Sequence, residues 1–351
     1  MTTLSHHDDE RLMRFLSATP MAGASLAPLP GDASFRRYVR VHLGQQTAML
    51  MDAPPEREAL APFVQVAEWL SQHGYSAPQM IARDDAQGLM LLEDLGVDSL
   101  TSLCRTHRQM EPMLYEVAVD VLADWALGAA TGRLSSPPLP RYDHALMMRE
   151  VMLFSEWFLP QIISDATLAE RQAEFSALWE RLISDAELQE DVFVHRDFHA
   201  DNLLWRPERS HLQRLGLLDF QDAVLGDPAY DLVSLIEDAR RDVGADLAAQ
   251  LLDRYLSATG FDRPSFLAKY SLLGAQRNCK IVGIFVRLAV RDGKAHYLSY
   301  LPRVWAHLNT DLSHEQLRPL AQWMQRVVPE AARSVPALRP AAPVGAAAGL
   351  S

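Results

Sequence analysis

The spacing of apolar positions changes period twice along the chain. From residue 31 to 51 it alternates by two. Phe35, Arg37, Val39, Val41 and Leu43 fall on one side, and Arg36, Tyr38, Arg40 and His42 on the other. That predicts a turn into a strand over 31–43 and a returning strand over 47–51. Over 58–73 the spacing becomes helical, with Phe63, Val66, Ala67 and Leu70 in register and Gly74 just past the end. Two short apolar runs, 78–81 and 89–92, predict strands. From residue 100 onward helical spacing dominates, giving helices over 113–130, 145–158, 168–182, 245–258, 264–291 and 298–309. Three short apolar runs interrupt that series, at 192–194, 203–205 and 215–218. The first reads as a buried strand and the other two as a hairpin. A short helix over 8–18 precedes the first strand.

Composition limits what such a chain can do. It has 351 residues, 48% of them apolar, enough for two lobes. A net charge of −12 argues against nucleic acid or an anionic membrane as partner. No run of 18 apolar residues occurs, so no membrane span is expected. Cys104 and Cys279 lie far apart and outside any motif, which fits a reduced cytoplasm. Residues 333–351 are rich in Ala, Pro and Gly and read as a disordered tail. Of the 33 basic side chains only three are lysines, Lys269, Lys280 and Lys294.

The candidate chemistry lies among the three short strands. Asp197 precedes Asn202 by five residues, and Asp219 closes the second arm of the hairpin. These groups are expected at strand ends, facing one another across a small sheet. A carboxylate, an amide and a second carboxylate so arranged suit phosphoryl transfer. Asp197 would accept the proton of an attacking hydroxyl, while Asn202 and Asp219 offer hard oxygens to Mg²⁺ on the nucleotide phosphates. No G-x-x-x-x-G-K-[ST] run exists, so a P-loop fold is not expected.

The run His195-Arg196-Asp197 with Asn202, followed by Leu218-Asp219-Phe220, resembles the catalytic loop and metal-binding segment of kinases. Gln221 stands where a protein kinase has Gly, and no Ala-Pro-Glu follows. In these details, and in the stretches 32–38, 51–55, 217–224 and 280–285, the chain resembles the aminoglycoside phosphotransferase family. Within it the similarity is to bacterial anomeric kinases of N-acetylmuramate and N-acetylglucosamine. The resemblance implies an α+β, bilobal protein-kinase-like fold. An N-terminal nucleotide-binding lobe over 1–92, a mixed sheet with one main helix, would precede a larger helical catalytic and substrate lobe over 93–332. ATP with Mg²⁺ would lie in the cleft. The acceptor would be an amino sugar, and the 1-phosphate formed would pass to a sugar-1-phosphate nucleotidyltransferase. An aminoglycoside kinase and a catalytically inactive nucleotide-binding scaffold remain the alternatives.

Further site residues follow from that resemblance. Ser34, Phe35 and Arg36 would meet the phosphates. Leu92, Glu93 and Leu95 would form the hinge at the adenine, unless this stretch is an ordinary turn. Gln221, Asp222, Glu150 and Trp157 would contact the acceptor, with Glu150 taking hydroxyl protons and Trp157 covering a sugar face or simply belonging to the core. A kinase-like fold places a lysine on the strand over 47–51, yet this chain has no lysine before residue 269. Arg36 or Arg37 is the substitute, and Arg37 shares a face with Phe35, Val39 and Val41, which favours Arg36. Asp231 would hold the catalytic loop through its backbone. Finally, Arg277, Lys280, Arg287 and Arg291 fall within an arc of about 80° at 100° per residue. They make either a salt-bridged face or a contact to an anionic acceptor, with Arg277 the leading candidate.

Overall fold

The computed structural model describes residues 6–30 and 36–333. The tail from 334 onward, Ser34 and Phe35 lie outside the described residues. The chain packs as two compact units, one of residues 1–121 with 200–223 and one of 122–199 with 224–351. This division is not the one drawn at 92–93 from the sequence.

In the first unit, helix α1 (His6–Ser17) precedes strands β1 (Ser25–Pro28), β2 (Arg37–Leu43) and β3 (Gln46–Asp52). Helix α2 (Ala61–Gln72) then leads to β4 (Met80–Asp84) and β5 (Leu89–Glu93), followed by α3 (Leu100–Thr106) and the start of α4 (Glu111–Ala130). The five strands form one antiparallel sheet in the order β1-β2-β3-β5-β4. The alternating residues Val39 and Val41 of β2 are buried with Leu50 of β3 and with Leu12 and Leu16 of α1. Alternation by two has therefore put one face of the hairpin against a helix. Strand β1 was not legible in the sequence, because its four residues include two small ones and a proline. Gly88 closes the β4–β5 turn at φ +66°, where a Cβ would stand 1.9 Å from the Ala53 carbonyl oxygen. The unit is completed by β7 (Leu203–Trp205) and β8 (Leu215–Leu217), paired in the register Leu203↔Leu217.

The second unit is mostly helical. It contains α5 (His144–Leu153), α6 (Leu159–Ile162), α7 (Leu168–Ser184), α8 (Ala229–Ile236), α9 (Ala245–Thr259), α10 (Arg263–Asp292), α11 (Leu301–Asp311) and α12 (Arg318–Val327). Strands β6 (Val192–Val194) and β9 (Val224–Gly226) pair antiparallel within it. The helix expected over 145–158 is interrupted, because residues Phe154–Phe158 widen into a π turn. Gly283 of α10 faces this turn, and a Cβ there would lie 2.3 Å from the Leu153 carbonyl carbon. The missing side chain is what lets the two backbones approach. Phe154 then packs with Phe158, Phe175 and Trp305 at centroid distances of 4.9 to 5.9 Å.

One expectation needs correction here. The short strands do not form a single small sheet. They form two separate ladders, β6 with β9 and β7 with β8. Asp197 also stands three residues beyond the end of β6, in the loop rather than at a strand end. Short apolar runs predict strands but not their partners, since three residues carry too little pattern to fix pairing.

Candidate functional site

The first unit encloses a cavity of about 290 Å³. Its walls include Leu29, Tyr38, Met49, Phe63, Leu92, Leu95, Leu204 and Leu218, and its polar groups include Arg36, Glu93, Asn202 and Asp219. Apolar walls with a few convergent polar groups are the ordinary form of a small-molecule site. Six sequence-predicted residues thus come together: Arg36, Leu92, Glu93, Leu95, Asn202 and Asp219.

The ladder of β7 with β8 explains how Asn202 and Asp219 meet. Leu203 opposes Leu217, so Asn202 opposes Leu218, whose N–H donates to the Asn202 carbonyl at 3.0 Å. Asp219 follows directly, at φ +62°, a conformation that costs most residues energy and that aspartate tolerates better than most. Its side chain is 49% exposed, and Gln221 Nε2 donates to its Oδ1 at 2.8 Å. The neighbouring Phe220 is fully buried against Phe63, at 4.9 Å between centroids, and fixes the turn. An amide oxygen on Asn202 and the exposed Asp219 carboxylate offer hard donors that suit a small hard cation such as Mg²⁺. Asp222 is exposed.

Glu93 has its own work. Its Oε1 accepts from Arg209 at 2.6 Å and Arg206 at 3.3 Å, so its side chain anchors the β7–β8 connection. Its N–H is occupied as well, donating to the Gln79 carbonyl at 2.8 Å. Asp94 is likewise paired with Arg40.

In the second unit Asp197 lies in a loop held by Asp231. The Asp231 carboxylate accepts the N–H groups of His195 at 2.6 Å and Arg196 at 2.9 Å, as expected. Arg196 takes φ +74°. The Phe193 and Phe198 rings flank Trp125, at 4.7 and 5.5 Å. Burial alone would raise the Asp197 carboxyl, but the charges of Lys280, His199, Arg196 and Arg277 outweigh it and hold its pKa below the ordinary value. Asp197 is therefore ionised at neutral pH and able to accept a proton.

The expectation for Glu150 also changes. Its Oε2 accepts from Tyr142 at 2.5 Å, and its Oε1 binds Lys280 at 2.9 Å and Arg196. Tyr142 is in turn bonded to Gln276 at 3.1 Å. Both carboxylate oxygens are committed, so Glu150 supports the loop residue beside Asp197 instead of offering an open acceptor to a hydroxyl. Helical spacing could not reveal this, because the partners lie 46 and 130 positions along the chain. The one available signal was Lys280 itself, in a chain with so few lysines.

The basic stripe divides for the same reason. Arg277 and Arg291 are fourteen residues apart, about 21 Å along a helix at 1.5 Å per residue. Lys280 is taken by Glu150 and Arg291 by Asp292 at 2.7 Å, while burial and the like charge of Arg291 lower the Arg287 pKa, with Asp292 and, on the π turn, Glu156 answering only in part. Trp157 is half-buried on that same turn. Arg277 and Arg287 each keep a buried nitrogen without a hydrogen-bond partner, Nη1 and Nε respectively, and Arg277 is the more buried of the two at 5% exposed. A buried donor left unsatisfied is costly and asks for a ligand or a water.

The sequence profile of the phosphotransferase enzyme family matches residues 25–267. The chain belongs to this family. A relative named N-acetylmuramate/N-acetylglucosamine kinase, from Caulobacter vibrioides, is 39% identical, covering 93% of this chain and 98% of the relative. A protein of the same name from Pseudomonas aeruginosa is 36% identical over 82% of this chain and 83% of its own length. Among solved structures, a choline kinase from Streptococcus pneumoniae aligns with a TM-score of 0.62 at 14% identity, covering 87% of this chain and 99% of that one. The α+β, protein-kinase-like fold is thus the fold of this phosphotransferase: an N-terminal antiparallel sheet followed by a mainly helical remainder. No helix among the described residues is long and apolar enough to cross a membrane.

Proposed function

We propose that this phosphotransferase uses ATP to phosphorylate the anomeric hydroxyl of N-acetylmuramate and N-acetylglucosamine. The observation that carries this reading is the 39% identity to a kinase of that name over nearly the full length of both chains. The site residues support it. The apolar cavity walls suit adenine, with Leu92 and Leu95 beside it. Asp219 and Asn202 would hold Mg²⁺, which would neutralise phosphate charge when bound. Asp197 accepts the proton of the sugar hydroxyl as the new O–P bond forms and ADP leaves. Its low pKa makes it a weak base, so its main service is to orient the hydroxyl and receive the proton late. Glu150 and Lys280 fix Arg196 next to it. Gln221 orients Asp219, and Arg277, Asp222 and Trp157 are the proposed contacts to the acceptor.

A sugar 1-phosphate is the kind of substrate a nucleotidyltransferase consumes, and a cytoplasmic setting belongs to the same proposal. A panel of amino sugars and aminoglycosides with labelled ATP tests it, with the phosphorylated position read by NMR. Transfer to C1 of either amino sugar is the expected result. Transfer to aminoglycosides alone would overturn it.

A further inference from the structure

Strand β3, which carries the phosphate-binding lysine in a kinase-like fold, carries no cation in this chain. It ends in Met51 and Asp52. Asp52 is buried under Arg37 Nη2 at 2.5 Å and Arg11 Nη2 at 2.6 Å. Arg37 is thereby committed to closing the end of the sheet. Among the described residues that line the cavity, Arg36 is the one cation.

The surroundings of Arg36 are specific. Its side chain is 12% exposed and pairs through Nε with Glu58, itself 16% exposed. Its Nη1 lies 4.0 Å from Asp219 Oδ1. Glu58 sits in the turn that enters α2, where its N–H donates to the Pro54 carbonyl at 3.0 Å. Tyr38, two positions along β2, has its phenol pushed up to about 12 by burial, so it stays a neutral hydroxyl beside this pair. One cation thus stands between two carboxylates, in a cavity that otherwise has no positive charge among its described lining residues. A guanidinium offers a planar fork that matches phosphate oxygens. A carboxylate fixed on its Nε edge removes much of the side-chain freedom that binding would otherwise have to restrict.

We propose that Arg36 is the phosphate-binding cation of this chain and that Glu58 is its positioning residue. The pair does from the start of β2 and the entry to α2 what a lysine on β3 and a glutamate on the following helix do in protein kinases. The proposal rests on the reading of the cavity as the nucleotide site.

Binding of adenosine and of ADP to the full chain tests it, because the two ligands differ only in the phosphates. Arg36→Met should weaken ADP by about tenfold or more, the range of a charge-assisted hydrogen bond, and leave adenosine unchanged. Glu58→Gln should weaken ADP in the same direction, and Glu58→Asp should recover part of the loss. Arg37→Met should leave the ADP-to-adenosine ratio as in the wild type. Adenosine binding reports that each variant keeps a folded pocket. Should Arg36→Met fail to bind it, Arg36→Lys, which keeps the charge and loses the fork, reports through the same ratio. An unchanged ratio in the Arg36 variants would overturn the proposal and make the pair a strut between strand and helix. A changed ratio in Arg36→Met with none in Glu58→Gln would remove Glu58 from its role. Failure of the wild type to bind either ligand would instead remove the nucleotide reading of the cavity, and the proposal with it.

Discussion

Asp231 holds Arg196 in a left-handed backbone conformation: the Arg196 N–H donates to Asp231 Oδ1 at 2.9 Å while its φ stands at +74°. The preceding N–H, from His195, goes to the other oxygen of the same carboxylate. Such a φ costs a non-glycine residue about 1–3 kcal/mol, and two hydrogen bonds to one carboxylate are of the size to offset it. The loop that presents Asp197 is therefore set by a residue 34 positions further along the chain.

That relationship gives a pH dependence. Burial raises the Asp231 carboxyl from 3.8 to about 7, against the pull of its two N–H donors. A raised folded-state pKa means the folded protein binds the extra proton. The contribution is fully present below about 4 and is lost as pH rises through about 7. Asp231→Asn removes this titration. The stability of wild type relative to the variant should fall between pH 4 and 7, by at most about 1.4 kcal/mol per pH unit. Urea unfolding of both proteins across that range measures it, and a constant difference would contradict the assignment.

Asp197→Asn should lose about 10²–10⁴ in turnover, the usual contribution of a positioned base. Binding of Mg–ATP should survive, since this side chain serves the acceptor. Steady-state kinetics with a parallel nucleotide titration checks both halves. Near-normal turnover would exclude Asp197 from the role.

Asp219→Ala should abolish transfer and remove the Mg²⁺ dependence of nucleotide affinity, while Asn202→Ala should weaken it to a lesser degree. Calorimetric titration of ATP with and without Mg²⁺ is the measurement. An unchanged Mg²⁺ dependence in both variants would show that neither side chain holds the metal.

Arg277 should discriminate between the two sugars. N-acetylmuramate carries a lactyl carboxylate that N-acetylglucosamine lacks, and Arg277 Nη1 is a buried donor without a partner. A charge-assisted bond of about 1.5–3 kcal/mol corresponds to roughly 10- to 150-fold in affinity. Arg277→Ala should therefore lower kcat/KM for N-acetylmuramate about tenfold more than for N-acetylglucosamine. Equal losses would make the residue structural.

Gly283→Ala should destabilise the fold without touching the chemistry. The added Cβ would stand 2.3 Å from Leu153 backbone, and overpacking of this kind costs about 1–3 kcal/mol. Thermal unfolding reads the loss, and a melting temperature equal to the wild type would mean that α10 can shift to make room.

Much of this protein was determined by its sequence alone. Val39 and Val41 in alternation, and Phe63, Val66 and Leu70 at helical spacing, specify a hairpin and a helix, because each period has only one way to bury its apolar side. The spacing of Asn202 and Asp219 brought both to one cavity, since the hairpin between them is local. Tertiary structure decided what each polar side chain is occupied with. Arg36 and Arg37 are neighbours in sequence at the entry to β2, yet one pairs with Glu58 and the other with Asp52. Arg277 and Lys280 share one helix face, yet Glu150 engages the lysine and the Arg277 Nη1 is left unbonded. Ion pairs and hydrogen bonds act over a few ångströms between residues tens of positions apart, and no local period records them.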